Sequence, residues 1–121
     1  MNNLVELRLT DEQAKITARA CEFYARIILG QFNELILELV NSDNIDRVAE
    51  CKNLIEAELL HVRQYFYPEL HGLGHSYGIG KFEHADTAYD VYQSIRSLFG
   101  DPRTPFSYHK LPEAQHFLDL K

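Results

Sequence analysis

A glycine-rich segment from His71 to Lys81 contains the residues of this chain best suited to binding or catalysis. It holds four glycines, two histidines and a lysine, and it lies between two segments with helical patterns. Glycine is favoured where the backbone turns through positive φ or passes close to another group. Functional residues are also concentrated in loops of this kind. The segment is therefore the first candidate for a site.

The end of this segment has the composition of an anion-binding turn. Gly78 and Gly80 leave backbone N–H groups accessible just before the next predicted helix, and Lys81 adds a positive charge. N–H groups at the start of a helix can bind phosphate. The Gly-Lys-Ser/Thr sequence of a P-loop is missing, so the pattern predicts non-catalytic phosphate or nucleotide binding rather than an ATPase. Glycines that serve only tight turns are the simpler interpretation.

The helix that follows supplies a second set of side chains for a ligand. Tyr89, Gln93 and Arg96 recur at helical spacing and therefore share one face. Arginine offers a planar pair of donors to phosphate or carboxylate, and tyrosine offers a stacking surface. A helix-bracing face, with Arg96 paired to an acid of the second predicted helix, is the alternative. The predicted ligand-binding residues are His75, Ser76, Tyr77, Gly78, Gly80, Lys81, Tyr89, Gln93 and Arg96.

The six histidines of the chain raise the possibility of a metal site. His71, His75 and His84 could supply ligands from the loop, with Glu83 and Asp86 nearby. Neither a His-Glu-x-x-His sequence nor a pair of cysteines at zinc-finger spacing accompanies them. We therefore favour surface and loop histidines without a metal, and we predict no cofactor.

Nucleophilic catalysis has little support in the sequence. Ser76 follows His75 within Gly-His-Ser-Tyr-Gly. We do not interpret this as a serine nucleophile elbow, because adjacency alone does not give the serine a base. The carboxylates Asp86 and Asp90 are one helical turn apart near a helix start, where favourable interaction with the helix dipole explains them. We predict no catalytic residue.

The elements that must position these residues are mainly α-helical. Periodicity predicts about three helices, the first of them long, in a single domain of residues 1–121. A small two-stranded β element is expected to join the terminal segments, because apolar and polar residues alternate in both. The predicted strands are Leu4–Leu9 and Pro105–Leu111, and the predicted helices are Asp11–Val40, Ile45–Phe66 and His84–Phe99.

The first predicted helix has a clear start and an unusual length. Thr10 and Gln13 fit a capping box, with acidic residues between them. A helix continuing to Val40 would be about 45 Å long, which exceeds the width of so small a domain. It must therefore bend at Gly30 or pack in part against a second copy. Its broad apolar stripe favours a homo-oligomer or another partner.

Composition excludes several classes of function. The net charge of −6 argues against binding to nucleic acid or to an anionic membrane surface. Cys21 and Cys51 lie among apolar neighbours and are expected to be reduced thiols, although a disulfide between them remains open. The N-terminal residues lack the features of a secretory signal, and no apolar run is long enough to cross a bilayer. We therefore expect a cytoplasmic protein.

Several short sequences form a recognisable pattern along the chain. Two of them read Tyr-Gly-Ile and Ala-Tyr-Asp-Val-Tyr-Gln-Ser-Ile-Arg. The four segments are Leu9–Gln13, Tyr24–Phe32, Tyr77–Ile79 and Ala88–Arg96. Together they resemble a family of small uncharacterised proteins from phages and prophage-like bacterial islands. The resemblance implies an accessory protein of a mobile element, a class that includes inhibitors, adaptors and sequesterers, and it transfers no functional residue.

These observations favour a non-enzymatic binding module. It would sequester a small anionic, nucleotide-like ligand, such as a nucleotide immune signal in an anti-defence role, or it would inhibit a host protein. If phage-encoded, it would act in the host cytoplasm. Two alternatives remain: a metal-dependent hydrolase with a histidine site in the loop, and a structural helical protein whose apolar stripe binds a partner.

Overall fold

The fold of residues 3–99 is described by a computed structural model. Its helices are α1 (Asp11–Ile28), α2 (Glu34–Leu39), α3 (Ile45–Phe66) and α4 (Glu83–Leu98). The mainly helical prediction is confirmed, and α3 has the predicted bounds. Where about three helices were predicted, the described part of the chain has four, because the long first helix is divided.

The capping box predicted at the start of α1 is present. The Thr10 hydroxyl accepts a hydrogen bond from the Gln13 backbone N–H at 3.1 Å, and the Gln13 side chain accepts one from the Thr10 N–H at 3.0 Å. Asp11 and Glu12 occupy the first turn, where the helix dipole favours negative charge. The start of α1 is therefore specified by local sequence.

Gly30 ends α1, so the prediction of one helix from Asp11 to Val40 is wrong. The N–H of Gly30 donates to the carbonyl of Ile27 at 3.0 Å, and the N–H of Gln31 donates to that of Arg26 at 2.9 Å. These two bonds form a Schellman motif with Gly30 at a φ of 94°. A Cβ on Gly30 would lie 2.7 Å from Leu70 Cδ1, so both conformation and packing require glycine there.

The predicted two-stranded β element is not seen. Residues 4–9 form no strand, and Val5 and Leu7 are 88% and 71% exposed. The predicted partner segment, Pro105–Leu111, lies outside the described residues. Alternation of apolar and polar residues produces a strand only when one face is buried and the backbone groups are paired. Neither condition is met by Leu4–Leu9 within residues 3–99.

The closest helix packing brings α1 against α4. Three alanines permit it: Ala18 and Ala25 of α1, and Ala85 of α4, are all buried. Buried polar side chains are unusually prominent for so small a domain. They are Arg63, Asp86, Asp90 and Gln93. By contrast, α3 makes little contact with the other helices, so most of its length lies at the surface.

Two further expectations concern the cysteines and the membrane. Cys21 and Cys51 are both free thiols, and both are half-buried. Burial raises the pKa of the Cys21 thiol. Across residues 3–99, no helix combines the length and apolar character that crossing a bilayer requires.

Candidate functional site

A fully buried arginine holds the glycine-rich loop against the rest of the fold. Nη1 of Arg63, in the last turn of α3, donates to the carbonyls of Gly30 at 3.1 Å and His75 at 3.0 Å. Nη2 donates to the carbonyl of Gly72. One guanidinium thus joins the end of α3, the end of α1 and two points of the loop. An arginine is suited to this role because its donors are fixed in a planar fork.

The middle of the loop lies against the C-terminal end of α1. The Tyr77 N–H donates to the Leu29 carbonyl at 2.9 Å, and the Gln31 amide donates to the Ser76 hydroxyl at 3.3 Å. The hydroxyl of Tyr67 donates to the Ile28 carbonyl at 2.8 Å. The bonds to Leu29 and Ile28 satisfy carbonyls that the end of a helix leaves without intrahelical partners. The loop is therefore built into the fold.

The junction between the loop and α4 holds an internal carboxylate. The Gly80 N–H lies 3.1 Å from each oxygen of Asp86, and Asp86 is only 3% exposed. Gly80 has a φ of 96°, a conformation that residues with a Cβ rarely adopt. The Gly80 N–H, which was predicted from sequence to bind an anionic ligand, thus already donates to a carboxylate of the protein itself.

Lys81 lies on a cluster of aromatic rings. Its ammonium is 5.0 Å from the centre of the Tyr77 ring and 5.9 Å from that of Phe82. Tyr77 packs edge-on against both Tyr67 and Phe82, with ring centres 5.4 Å apart in each case. These contacts hold the Lys81 ammonium over the aromatic rings, while the residue as a whole remains exposed.

A cavity of about 200 Å³ opens between the loop, the end of α1 and the start of α4. We call it the loop cavity. It brings together Tyr77, Gly78 and Tyr89, three of the predicted ligand-binding residues. Its walls are mainly apolar, with two tyrosines and three side chains that can form hydrogen bonds. The lining residues are Ala25, Arg26, Leu29, Gln31, Tyr77, Gly78, Ile79, Ala85, Asp86 and Tyr89.

The cation of the loop cavity is Arg26, which is already paired. Its guanidinium donates to Glu22 at 3.1 Å and to Gln31 at 2.8 Å, and it lies 3.8 Å from Glu34. Burial alone would lower the pKa of Arg26, but the hydrogen bond and charge of Glu22 and the charge of Glu34 outweigh it and raise the pKa. With Asp86 also present, the cavity carries no excess of positive charge.

The remaining predicted residues do not line the loop cavity. Gln93 is buried, and its carbonyl oxygen accepts a hydrogen bond from Arg96 at 3.0 Å. Arg96 also bonds the Tyr92 hydroxyl and lines a separate cavity of about 470 Å³ between α1, α2 and α4. The predicted face of Tyr89, Gln93 and Arg96 is therefore divided between two cavities and the interior.

The loop histidines and Ser76 are not gathered into a reactive cluster. His71, His75 and His84 are exposed, and no group of three His, Cys, Asp or Glu side chains within residues 3–99 is placed to hold a metal ion. The metal-dependent hydrolase would require these side chains to rearrange. Ser76 has the Gly-x-Ser-x-Gly spacing of a nucleophile elbow, but in the described chain no strand leads into it.

Sequence reasoning missed the residues that organise this site. Arg63 lies within the second predicted helix, next to apolar residues. Nothing in its sequence position indicated that it would donate to three backbone carbonyls. Arg26 and Gln31 lie on either side of Gly30, where a continuous helix was expected. The signal available in the sequence was Gly30. A first helix that ends there would have directed its C-terminal end toward the loop.

Comparisons with protein-family profiles, curated proteins and solved structures found no match to this chain.

Proposed function

We propose that this chain is a non-enzymatic binding module whose loop cavity takes the ring of a small nucleotide-like ligand. The observation that carries the proposal is the meeting of Tyr77, Gly78 and Tyr89 around one cavity. These residues come from the loop and from the helix that follows it, and all three were candidates for binding from sequence. Two tyrosines at an apolar cavity supply the surface against which a planar ring can pack.

The size of the cavity supports a ring rather than a whole ligand. Pockets for drug-sized molecules usually measure about 300–1,000 Å³, whereas the loop cavity measures about 200 Å³. The remainder of the ligand would lie outside it. Gln31 and Asp86 at the lining offer hydrogen-bonding groups of the kind that read the edge of a base.

The charge of the ligand would be met outside the cavity. Arg26 is neutralised by Glu22 and Glu34, so it gives an anion little net attraction. Lys81 is exposed and lies over Tyr77, one of the cavity residues. It is suited to a single phosphate at the cavity entrance. We therefore favour a mononucleotide-like ligand over a polyanion.

The polar groups around the cavity favour binding over catalysis. Arg26 is held by Glu22, and the Asp86 carboxylate receives the Gly80 N–H. Groups engaged in this way are fixed as hydrogen-bonding partners. Among the described residues, the cavity lining also holds neither a loop histidine nor Ser76, the side chains best suited to act as general base or nucleophile. The proposed activity is accordingly sequestration of the ligand.

Blocking the cavity tests this proposal. Ile79 lines it and is 46% exposed, so Ile79→Trp can fill the cavity without disturbing a buried position. Binding of nucleosides, nucleotides and cyclic nucleotides is measured by calorimetry and thermal shift. We expect the native chain to bind at least one of them and Ile79→Trp to bind none. Ile16→Trp is the matched control, because Ile16 is also exposed and lies outside the lining.

A second variant tests the proposed contact between Lys81 and a phosphate at the cavity entrance. Lys81→Ala should weaken a nucleotide by about two- to fivefold, the range of an exposed charge pair, and leave the matching nucleoside unchanged. Lys52→Ala, at another exposed lysine, should leave the binding of both the nucleotide and the nucleoside unchanged. The proposal is overturned if no member of the panel binds, or if Ile79→Trp binds as tightly as the native chain.

The wider role belongs to the same proposal. The segments that resemble phage and prophage proteins support an accessory protein that sequesters a host nucleotide signal in the cytoplasm. Inhibition of a host protein and a structural interaction role are the second candidates, and they are favoured by exposed apolar side chains outside the cavity. Examples are Leu37 and Leu39 of α2 and Leu54 of α3, each at least 60% exposed. Self-association is part of this second candidate.

A further inference from the structure

Helix α3 has an apolar face that the described part of the chain leaves largely uncovered. In its last turn Arg63 holds the loop and Phe66 packs edge-on against Phe32. Nearer the middle of α3, Leu54 is 61% exposed. On the same side of the helix Val62 and Tyr65 are 46% and 77% exposed, and Cys51 is partly exposed. A surface of this kind indicates an interaction site.

We infer that this face binds a second copy of the same chain, with the two α3 helices antiparallel. The residues that indicate the orientation are Arg47 and Glu58, which are both exposed. Within residues 3–99 neither side chain forms an ion pair with its own chain. Each therefore has its charge available for a partner.

The spacing of these two charges matches a two-fold arrangement. They are eleven residues apart, which is about three helical turns and about 16 Å, so they lie on nearly the same side of α3. Cys51 and Leu54 lie between them on that side. A two-fold axis near residues 52 and 53 would place Arg47 of each copy against Glu58 of the other. It would also pack the two apolar centres together.

The parallel arrangement is disfavoured by the same charges. It would bring the two Arg47 side chains together at one end and the two Glu58 side chains together at the other. Like charges at an interface oppose association and thereby select between orientations. The antiparallel arrangement replaces both repulsions with attractions, because the two-fold axis forms the Arg47–Glu58 pair twice.

This inference deepens the self-association named as a second candidate and is independent of ligand binding. Its test is the oligomeric state by analytical ultracentrifugation, up to hundreds of micromolar. The native chain should form a dimer. Arg47→Glu and Glu58→Arg should each weaken the dimer by about tenfold or more, because each creates two like-charge contacts. The double variant carrying both changes should restore it.

Two controls accompany the charge reversals. Leu54→Glu should abolish the dimer by placing a charge at its centre, whereas Ile16→Glu, at an exposed residue of α1, should not. Circular dichroism checks that every variant is folded.

Each outcome decides between the arrangements. A native chain that is monomeric at every concentration overturns both self-association and the α3 interface. A dimer insensitive to both charge reversals overturns the α3 interface alone. Single reversals that weaken the dimer, without rescue by the double variant, overturn the antiparallel arrangement.

Discussion

Replacement of Arg63 by methionine gives the sharpest test of how this fold is held together. Methionine fills a similar elongated space and carries no charge or hydrogen-bond donor. In the native chain the guanidinium donates to the carbonyls of Gly30, Gly72 and His75. Arg63→Met removes all three bonds at once, and it leaves the helical propensity of α3 nearly unchanged.

The expected loss depends on which carbonyls water can reach. A hydrogen bond from a charged donor contributes about 1.5–3 kcal/mol, and an orphaned buried acceptor costs about 1–3 kcal/mol. The bonds to Gly72 and His75 are only partly buried, so water can in part replace Arg63 at these carbonyls, whereas the bond to Gly30 is buried. Burial of the methionine recovers part of the loss. We therefore expect Arg63→Met to lower the free energy of unfolding by about 3–5 kcal/mol.

Urea denaturation measures this loss, and hydrogen exchange locates it. The Tyr77 N–H bonds to Leu29 and should exchange faster in the variant, since the loop is released from α1. Arg8→Met is the matched control. Arg8 is exposed outside the helices, so this change should alter stability by no more than about 0.5 kcal/mol. A loss below about 1 kcal/mol for Arg63→Met, or unchanged exchange at Tyr77, would refute the role assigned to Arg63.

Two further predictions concern the end of α1 and the tyrosine bonded to it. Gly30→Ala should lower the free energy of unfolding in urea by at least about 2 kcal/mol, because φ is positive and the new Cβ would meet Leu70. Gly74→Ala, where nothing lies within 4 Å of the new Cβ, should change it by no more than about 0.5 kcal/mol; equal effects would contradict the packing argument. The pKa of Tyr67 is raised by burial and then by the charge of Glu69. Unfolded tyrosine ionises near pH 10, so the unfolded state loses this proton first and the contribution of Tyr67 declines above about pH 10. The stability difference between the native chain and Tyr67→Phe should therefore narrow from about pH 8 to about pH 11; a constant difference would count against the shift.

Local sequence was sufficient for several parts of the fold. The helical class and the bounds of α3 follow from periodicity, and the start of α1 follows from Thr10 and Gln13. These features depend on residues only a few positions apart, which is the range over which helical spacing and capping act. The prediction of a β element was wrong because a strand also depends on a distant partner, which a short alternating pattern does not specify.

The sequence by itself determined the helical class, the start of α1, the bounds of α3 and the loop that is the first candidate for a site. Tertiary structure decided what that loop does. It placed the loop on the end of α1, bonded Arg63 to three backbone carbonyls, and set Tyr77 beside Tyr89 around one cavity. It also bonded the Gly80 N–H to Asp86 and divided the face of Tyr89 and Arg96. Those outcomes depend on how the helices and the loop pack against one another, which the spacing of residues within one segment does not specify.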